Sequence, residues 1–507
     1  MTLSTIYTRA CIGIQAPQVN VEVHISNGLP SFTLVGLPEA TVKEAKDRVR
    51  SAIINSGFSF PSKKITVNLS PADLPKGGSR FDLPIAIAIL AATEQIPSNN
   101  LDHYEFLGEL ALSGEAKSVK GAIPAAIQTQ KRQRSLVLPA ENESEIALIK
   151  DNSVLICHNL SEVAQHLLNV SQLKKAEYRS IPAEIYTEND LQDIIGQEHA
   201  KRALEIAAAG EHNLLLIGPP GTGKTMLATR LISLLPPLSE KEALETAAIT
   251  SLTNSSYFMN DWKKRPFRAP HHSASAAALV GGGSTPKPGE ISLAHNGILF
   301  LDELPEFNRK VLDALREPLE SGEIEVSRVN AKVHFPAKVQ LVAAMNPSPT
   351  GHYQGVHNRT SPQQVIKYLN KLSGPFLDRF DLSVEVPLLP KGVLSNQIIK
   401  GESSSTVRLR ILKVREVQLN RIGKLNSQLN SKEIDTICKL NQEDNEFLEQ
   451  ALIKLGLSAR AWHRILKVSR TIADLDGDPN IERKHITEAL GYRSMDRLLI
   501  QLHKNIG

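Results

Sequence analysis

NLLLIGPPGTGKT, residues 213–225, passes from a short apolar run into a glycine-rich loop, and the helical pattern TMLATRLISLL follows at once. An apolar run of this length, bounded by turn residues, reads as a buried strand. The loop fits GxxxxGK[ST] in strand–loop–helix order, the arrangement that cradles phosphate. Gly221 and Gly223 let backbone N–H groups approach phosphate oxygens, and the helix N-terminus adds a positive partial charge. Lys224 reaches the β/γ oxygens and Thr225 can hold Mg²⁺. The stretch predicts an ATP site built from Gly218, Pro219, Pro220, Gly221, Thr222, Gly223, Lys224 and Thr225, set in an α/β fold. A mere glycine-rich turn is the competing reading.

GILFLDELPE (297–306) supplies a partner for that loop. Ile298 to Leu301 form a second apolar strand that delivers Asp302 and Glu303 to its C-terminal end, where open α/β sheets bind ligands. Asp302 is expected to hold Mg²⁺ and Glu303 to orient and polarise the attacking water; an acidic helix cap is the plainer alternative. VQLVAAMNP (339–347) ends at Asn346, placed either to position water beside the γ-phosphate or as a turn residue before Pro347. LSGPFLDRFDL (372–382) presents Arg379 between two acids, either as an ion pair with Asp378 or Asp381 or as a finger reaching a neighbouring subunit. In GLSARAWHRIL (456–466), Arg460 stands where it could touch nucleotide across a domain boundary.

The chain of 507 residues is too long for one core. Residues 1–170 alternate strand and helix patterns: VNVEVHI (19–25), the helical EATVKEAKDRVRSAIINSG (39–57), KKITVNLS (63–70), the apolar helix FDLPIAIAILAATEQ, RSLVLPA (134–140) and NSVLICH (152–158). Residues 171–188 carry no sustained period and read as a linker. A second α/β region spans 189–390, a polar serine-rich connection 391–407, and a helical region 408–507. The balance of 58 basic against 54 acidic residues neither demands nor excludes nucleic acid, which needs a local basic surface. Cys11, Cys157 and Cys438 are widely spaced and offer neither a disulfide framework nor a CxxC metal pair. MTLSTIYTRACIGIQAP lacks a secretory pattern, and LPIAIAILAA (83–92) is too short to span a bilayer, so a cytoplasmic location without membrane is expected.

The motif set resembles the AAA+ ATPases, and more narrowly the ComM/YifB group of their magnesium-chelatase-like branch. VGLPEATVKEAKDRVRSAIINSGF, ITVNLSPADLPKGGSRFDLPIA, RPFRAPHHSAS, LDELPEF, ALREPLE, QLVAAMNP and LSARAWHRIL all read as that group's blocks, in its order. The resemblance implies a Lon-protease-like N-terminal domain, a P-loop core, a C-terminal helical lid and a ring, hexameric in such proteins. It implies Walker A at Gly218–Thr225, Walker B at Asp302 and Glu303, sensor 1 at Asn346, the arginine finger at Arg379 and sensor 2 at Arg460. Ile195, Gly196 and Gln197 fall where such proteins line the adenine pocket.

Two departures stand out. Close relatives carry cysteines after sensor 1, whereas NPSPTGHYQGVHNRTSP has Ser348, Thr350, Asn358 and Thr360 there; with only His352 and His357 left, no zinc is expected. In PKGGSRFDL, Arg80 stands at the protease's nucleophile position with Ser79 one residue off, and Ile123 replaces the dyad lysine, so peptide hydrolysis has no mechanism.

Such proteins are helicases that drive DNA branch migration during natural transformation, so the resemblance implies DNA, branched or single-stranded, as partner. A protein-remodelling ATPase with a protein client is the alternative. RPFRAPHHSASAAALVGGGSTPKPGE (265–290), with Lys287 near its tip, fits an inserted element, and GEIEVSRVNAKVHFPA (322–337) alternates like a hairpin turning at Asn330-Ala331. In this branch the corresponding hairpin enters the pore, where Arg328, Lys332 and His334 could contact phosphates; the alternative is solvated charge on an ordinary hairpin. His271-His272 has no third metal ligand nearby, and a structural or pore-loop role is expected.

Overall fold

The computed structural model describes residues 2–36, 39, 42, 44–182, 189–253, 261–283, 286–328, 331–352, 360–390, 401–457 and 459–504. Its N-terminal part is an eight-stranded sheet. β1 (Thr2–Arg9), β2 (Gln18–Ser26), β3 (Ser31–Val35), β4 (Lys64–Ser70), β5 (Tyr104–Phe106), β6 (Ser135–Pro139), β7 (Val154–Cys157) and β8 (Lys174–Lys175) lie in the order β8-β7-β6-β5-β1-β2-β4-β3. The period-2 pattern of β2 turns Val19, Val21, Val23 and Ile25 to the core. Of the pair α1 (Ala45–Asn55) and α2 (Asp82–Ala92), α2 packs against that face, and every residue of it is buried, as an apolar-all-round helix requires; α1 packs on α2. β8 falls inside the segment read as a linker; its two lysines close the sheet edge, where charge discourages further pairing. Arg80 and Ile123 are buried here, and the Ser79 hydroxyl donates to Glu109.

The second α/β region holds five parallel strands. β9 (Leu214–Ile217), β10 (Phe267–Arg268), β13 (Gly297–Leu301), β16 (Val339–Met345) and β17 (Leu382–Glu385) run in the order β10-β13-β16-β9-β17. LLLI, GILFL and QLVAAM are buried throughout, because parallel strands covered on both faces have no solvent side. Between β10 and β13 sits the small pair β11 (Gly281–Gly282) and β12 (Lys287–Pro288); between β13 and β16 sits the larger hairpin β14 (Glu323–Arg328) and β15 (Ala331–Pro336). Its connection at 329–330, including the expected turn at Asn330, lies outside the described residues.

Helices close the chain. α9 (Ser404–Ile422) begins at Ser404, ahead of Arg408, because the Ser403 side chain caps it on Thr406 N–H; residues 391–400 are outside the description. It packs on α4 (Glu198–Gly210) and on α5 (Lys224–Leu234), the helix that the phosphate loop enters. α10 (Ala459–Asp476) also packs on α4. α11 (Ser494–Lys504) returns to the core: Met495 N–H donates to Ser383 Oγ at 3.0 Å, and Met495, Leu498 and Leu502 are buried there. Among the described residues, no helix is long and apolar enough to cross a membrane.

The two α/β regions meet at the large hairpin. Its apolar face, Ile324, Val326, Val333 and Phe335, is buried, and β15 packs on the turn Gly13–Gln15 of the N-terminal region. Gly13 has φ of 55°, and a Cβ there would stand 2.6 Å from Val333 Cγ1. Gly13→Ala therefore combines backbone strain with a clash. It should destabilise the chain by about 1–3 kcal/mol. The first thermal transition should fall by roughly 2–10 °C; an unchanged transition would show that this contact does not support the junction.

Candidate nucleotide site

β9 hands the chain to the phosphate loop at the edge where β13 and β16 also end, the place where the strand order reverses. Gly221 and Gly223 have φ of 78° and 87°, and a Cβ at either would meet nothing within 4 Å, so the loop's upper face is open. Lys224 is buried beneath it, its Nζ donating to Gly218 O and Pro219 O at 2.8 Å each and to Asn346 Oδ1 at 3.1 Å. Burial lowers the Lys224 pKa, against the opposing pull of the Asp302 carboxylate. Thr225 Oγ1 donates to Asp302 Oδ2 at 2.7 Å. Thus Lys224, Thr225, Asp302 and Asn346, drawn from three separate strand ends, converge on one point. An open loop, a buried cation and a hydroxyl–carboxylate pair together fit Mg²⁺-nucleotide.

Glu303 follows directly, with φ of 51° and ψ of 46°. His272 Nδ1 lies 3.2 Å from its Oε2. His271 turns away to Ser273 Oγ at 2.8 Å.

Beside the loop is a pocket of about 170 Å³ bordered by Gly218, Pro219, Pro387, Leu388, Ser494 and Leu498. Gln197, with φ of 57°, donates its Nε2 to Pro387 O at 2.7 Å, which ties the Ile195-Gly196-Gln197 turn to the rim of this pocket. Sequence reasoning found the turn but missed Leu388, Ser494 and Leu498. The amphipathic pattern of α11 announces a buried face without naming what it covers. The stretch after Asn346 closes on hydroxyls: Ser348 Oγ donates to His352 O at 2.7 Å, and Thr350 and Thr360 meet at 2.9 Å. His357 and Asn358 lie outside the described residues.

Arg379 is elsewhere. Its carbonyl accepts from Asn213 Nδ2 at 2.8 Å, and Asn213 stands at the start of β9, the end opposite the phosphate loop. The Arg379 guanidinium pairs with Glu320 at 2.7 Å, whereas Asp378 receives Arg464 at 3.0 Å and Arg460 at 3.9 Å. These arginines border or adjoin a cleft of about 1270 Å³ that also includes Arg415 and Lys467. Arg460, expected near nucleotide across a domain boundary, therefore groups with Arg379 and not with this chain's own loop. Arg464 is a member that sequence reasoning missed, one helical turn beyond Arg460.

The cations of the hairpins divide. Lys332 and His334 are exposed but face Glu325, at 2.9 and 3.6 Å. Arg328 stands opposite Ala331 in the ladder, its side chain outside the description, and Lys287 is exposed on β12.

Removing the buried ammonium should abolish the grip on phosphate. Lys224→Ala is expected to weaken fluorescent-ATP binding by about 3 kcal/mol, roughly 100-fold. Asn346→Ala should leave binding nearly intact and lower kcat by about 100-fold. Equal affinity in Lys224→Ala and wild type would contradict the site.

Comparison with known proteins gives the family. Family models described as magnesium chelatase subunit ChlI match residues 190–394 and 21–142, and one for the ChlI C-terminal part matches 401–493. The chain is 62% identical to Competence protein ComM of Haemophilus influenzae and 60% identical to the uncharacterized protein YifB of Escherichia coli, in each case over 99% of both chains. It is 26% identical to the magnesium-chelatase 38 kDa subunit of Rhodobacter capsulatus, over 59% of this chain and 86% of that one. Full-length likeness at this level, over a phosphate loop and carboxylate pair in working register, places the chain in the ComM/YifB family of magnesium-chelatase-like AAA+ proteins.

Proposed function

We propose that this protein is a ring-forming, hexameric ATPase that moves branched DNA, extending the pairing of incoming single strands during natural transformation. The observation that carries the ring is the separation of the phosphate loop and Arg379 to opposite ends of β9. A chain built this way completes its site only by lending Arg379 and Arg460 to a neighbour's nucleotide. Identical head-to-tail contacts of that kind close into a ring when the rotation between neighbours is a whole fraction of a turn, one sixth for the hexamer proposed.

In this reading Thr225 and Asp302 hold Mg²⁺, which neutralises phosphate charge when bound. Lys224 turns from the carbonyls of Gly218 and Pro219 to the phosphates, Asn346 positions water, and Glu303 takes its proton. No zinc is proposed for the stretch after Asn346, where Ser348, Thr350 and Thr360 offer hydroxyls in place of thiolates. A cytoplasmic chain meets DNA there without membrane contact.

DNA as cargo rests on the competence role in one relative's name and on cation-bearing hairpins. Backbone gripping by such cations reads no sequence and weakens with salt. The alternative, a protein-remodelling motor, is favoured by one feature: Glu325 sits between Lys332 and His334 and reduces the positive charge of the hairpin face.

Fluorescence-monitored strand exchange on three- and four-way junctions separates the two. ATP-dependent branch movement, lost in Glu303→Gln, is expected. ATP hydrolysis without junction movement, and unresponsive to DNA, would overturn the motor and leave a protein client.

A further inference from the structure

We propose that the start of α3 (Ala122–Lys131) is an oxyanion site built on Arg80, which takes a small tetrahedral anion of the inorganic phosphate class and is separate from the nucleotide site. The first N–H groups of a helix have no partner within it and present positive partial charge, so a capping oxygen or an acidic side chain belongs there. α3 has neither: Gly121 is its N-cap, no side chain caps it, and its first turn carries no acid. A cation stands there instead. Arg80 Nη1 lies 4.0 Å from the point that a Cβ on Gly121 would occupy. Arg80 is 4% exposed, and among the described residues its Nε and Nη2 have no hydrogen-bond partner and its guanidinium forms no ion pair.

A buried charge without a counter-charge is strongly disfavoured, and the positive end of a helix makes its position worse. The backbone holds it there all the same. Arg80 O accepts from Gly108 N–H at 3.1 Å, and the next two residues, Phe81 and Asp82, are fully buried. The neighbouring acids are already engaged: Asp82 receives Arg48 Nε and Nη2 at 2.7 and 3.1 Å, and Glu109 accepts from the Ser79 hydroxyl. One bound anion answers both demands. Nε and Nη2 form one side of the planar fork, which suits two oxygens, and the N–H groups of Ala122 and Ile123 suit a third. Three acceptor oxygens favour phosphate over carboxylate, and burial favours a small free anion over a DNA backbone. Arg80 and Ile123, the two departures from the protease pattern, thus belong to one helix end.

The site also lies on the seam between the two α/β regions. Gly121 N–H donates at 2.8 Å to Ser251 O, at the end of α6 (Glu240–Ser251). Cys11 Sγ and Leu252 Cδ2 stand 3.0 and 3.3 Å from the same Cβ point on Gly121. Cys11 leads in turn into the Gly13–Gln15 turn that meets the large hairpin. An anion here neutralises charge where both regions meet, and its binding stabilises the junction.

The test is calorimetric titration of inorganic phosphate into the full chain at fixed ionic strength, with Lys224→Ala as background to disable the phosphate loop. That chain is expected to bind one phosphate, with acetate and chloride failing to compete at equal concentration. Adding Arg80→Met should weaken binding by about 10–100-fold, and Arg80→Lys, a charge without the fork, by about tenfold. Phosphate should raise the first thermal transition of the Lys224→Ala chain and leave that of the Arg80→Met double variant unmoved. Fluorescent-ATP affinity of Arg80→Met with Lys224 intact, within about twofold of wild type, reports its folding; if that variant does not fold, Arg80→Lys decides. Phosphate affinity unchanged by the Arg80 substitutions would overturn the proposal. So would phosphate binding that wild type shows and Lys224→Ala lacks, which would assign the anion to the phosphate loop.

Discussion

A buried lysine ammonium held by two carbonyls of its own loop is the interaction around which this chain is arranged. Lys224 loses water on burial, and isolated charge in an apolar interior is strongly disfavoured. Gly218 O, Pro219 O and Asn346 Oδ1 supply the missing partners, and all three depend on β9 and β16 ending side by side. A backbone carbonyl is a weaker partner for ammonium than a phosphate oxygen. The site is therefore built to exchange one set of contacts for a better one.

The same strand register that gathers this edge also empties it of arginine. Asn213 binds the Arg379 carbonyl at the far end of β9, and the helical region brings Arg460 and Arg464 to Asp378 beside it. One parallel sheet thus separates the loop from the arginines that the proposed ring would lend to a neighbour's nucleotide. The large hairpin is buried on one face against the N-terminal region and exposed on the other, and the small hairpin leans on it.

Much of this was legible because burial on both faces leaves a distinctive record: LLLI, ILFL and LVAAM are apolar without alternation and each leads into a residue of the candidate site. The hairpin at 322–337 was legible from alternation, although its division into a buried face and a Glu325-centred polar face was not. His272 was not legible as Glu303's neighbour, since the pairing exists only once β10 and β13 align. Nor was the far placement of Arg460, because helix periodicity says nothing about which end of a sheet a helix reaches. The start of α9 at Ser404 was hidden by serines that read as a polar connection but serve as cap and first turn. β8 was hidden in the same way, being two lysines whose strand character comes only from their partner β7.

The central claim is that one chain's phosphate loop works with another chain's Arg379. Mixing Lys224→Ala chains with Arg379→Ala chains and measuring ATP hydrolysis tests it directly. Neither variant alone should hydrolyse ATP, and an equimolar mixture should recover about a quarter of wild-type activity, from the head-to-tail interfaces that join an intact loop to an intact arginine. A mixture as silent as its components, or full activity in Arg379→Ala alone, would contradict the account.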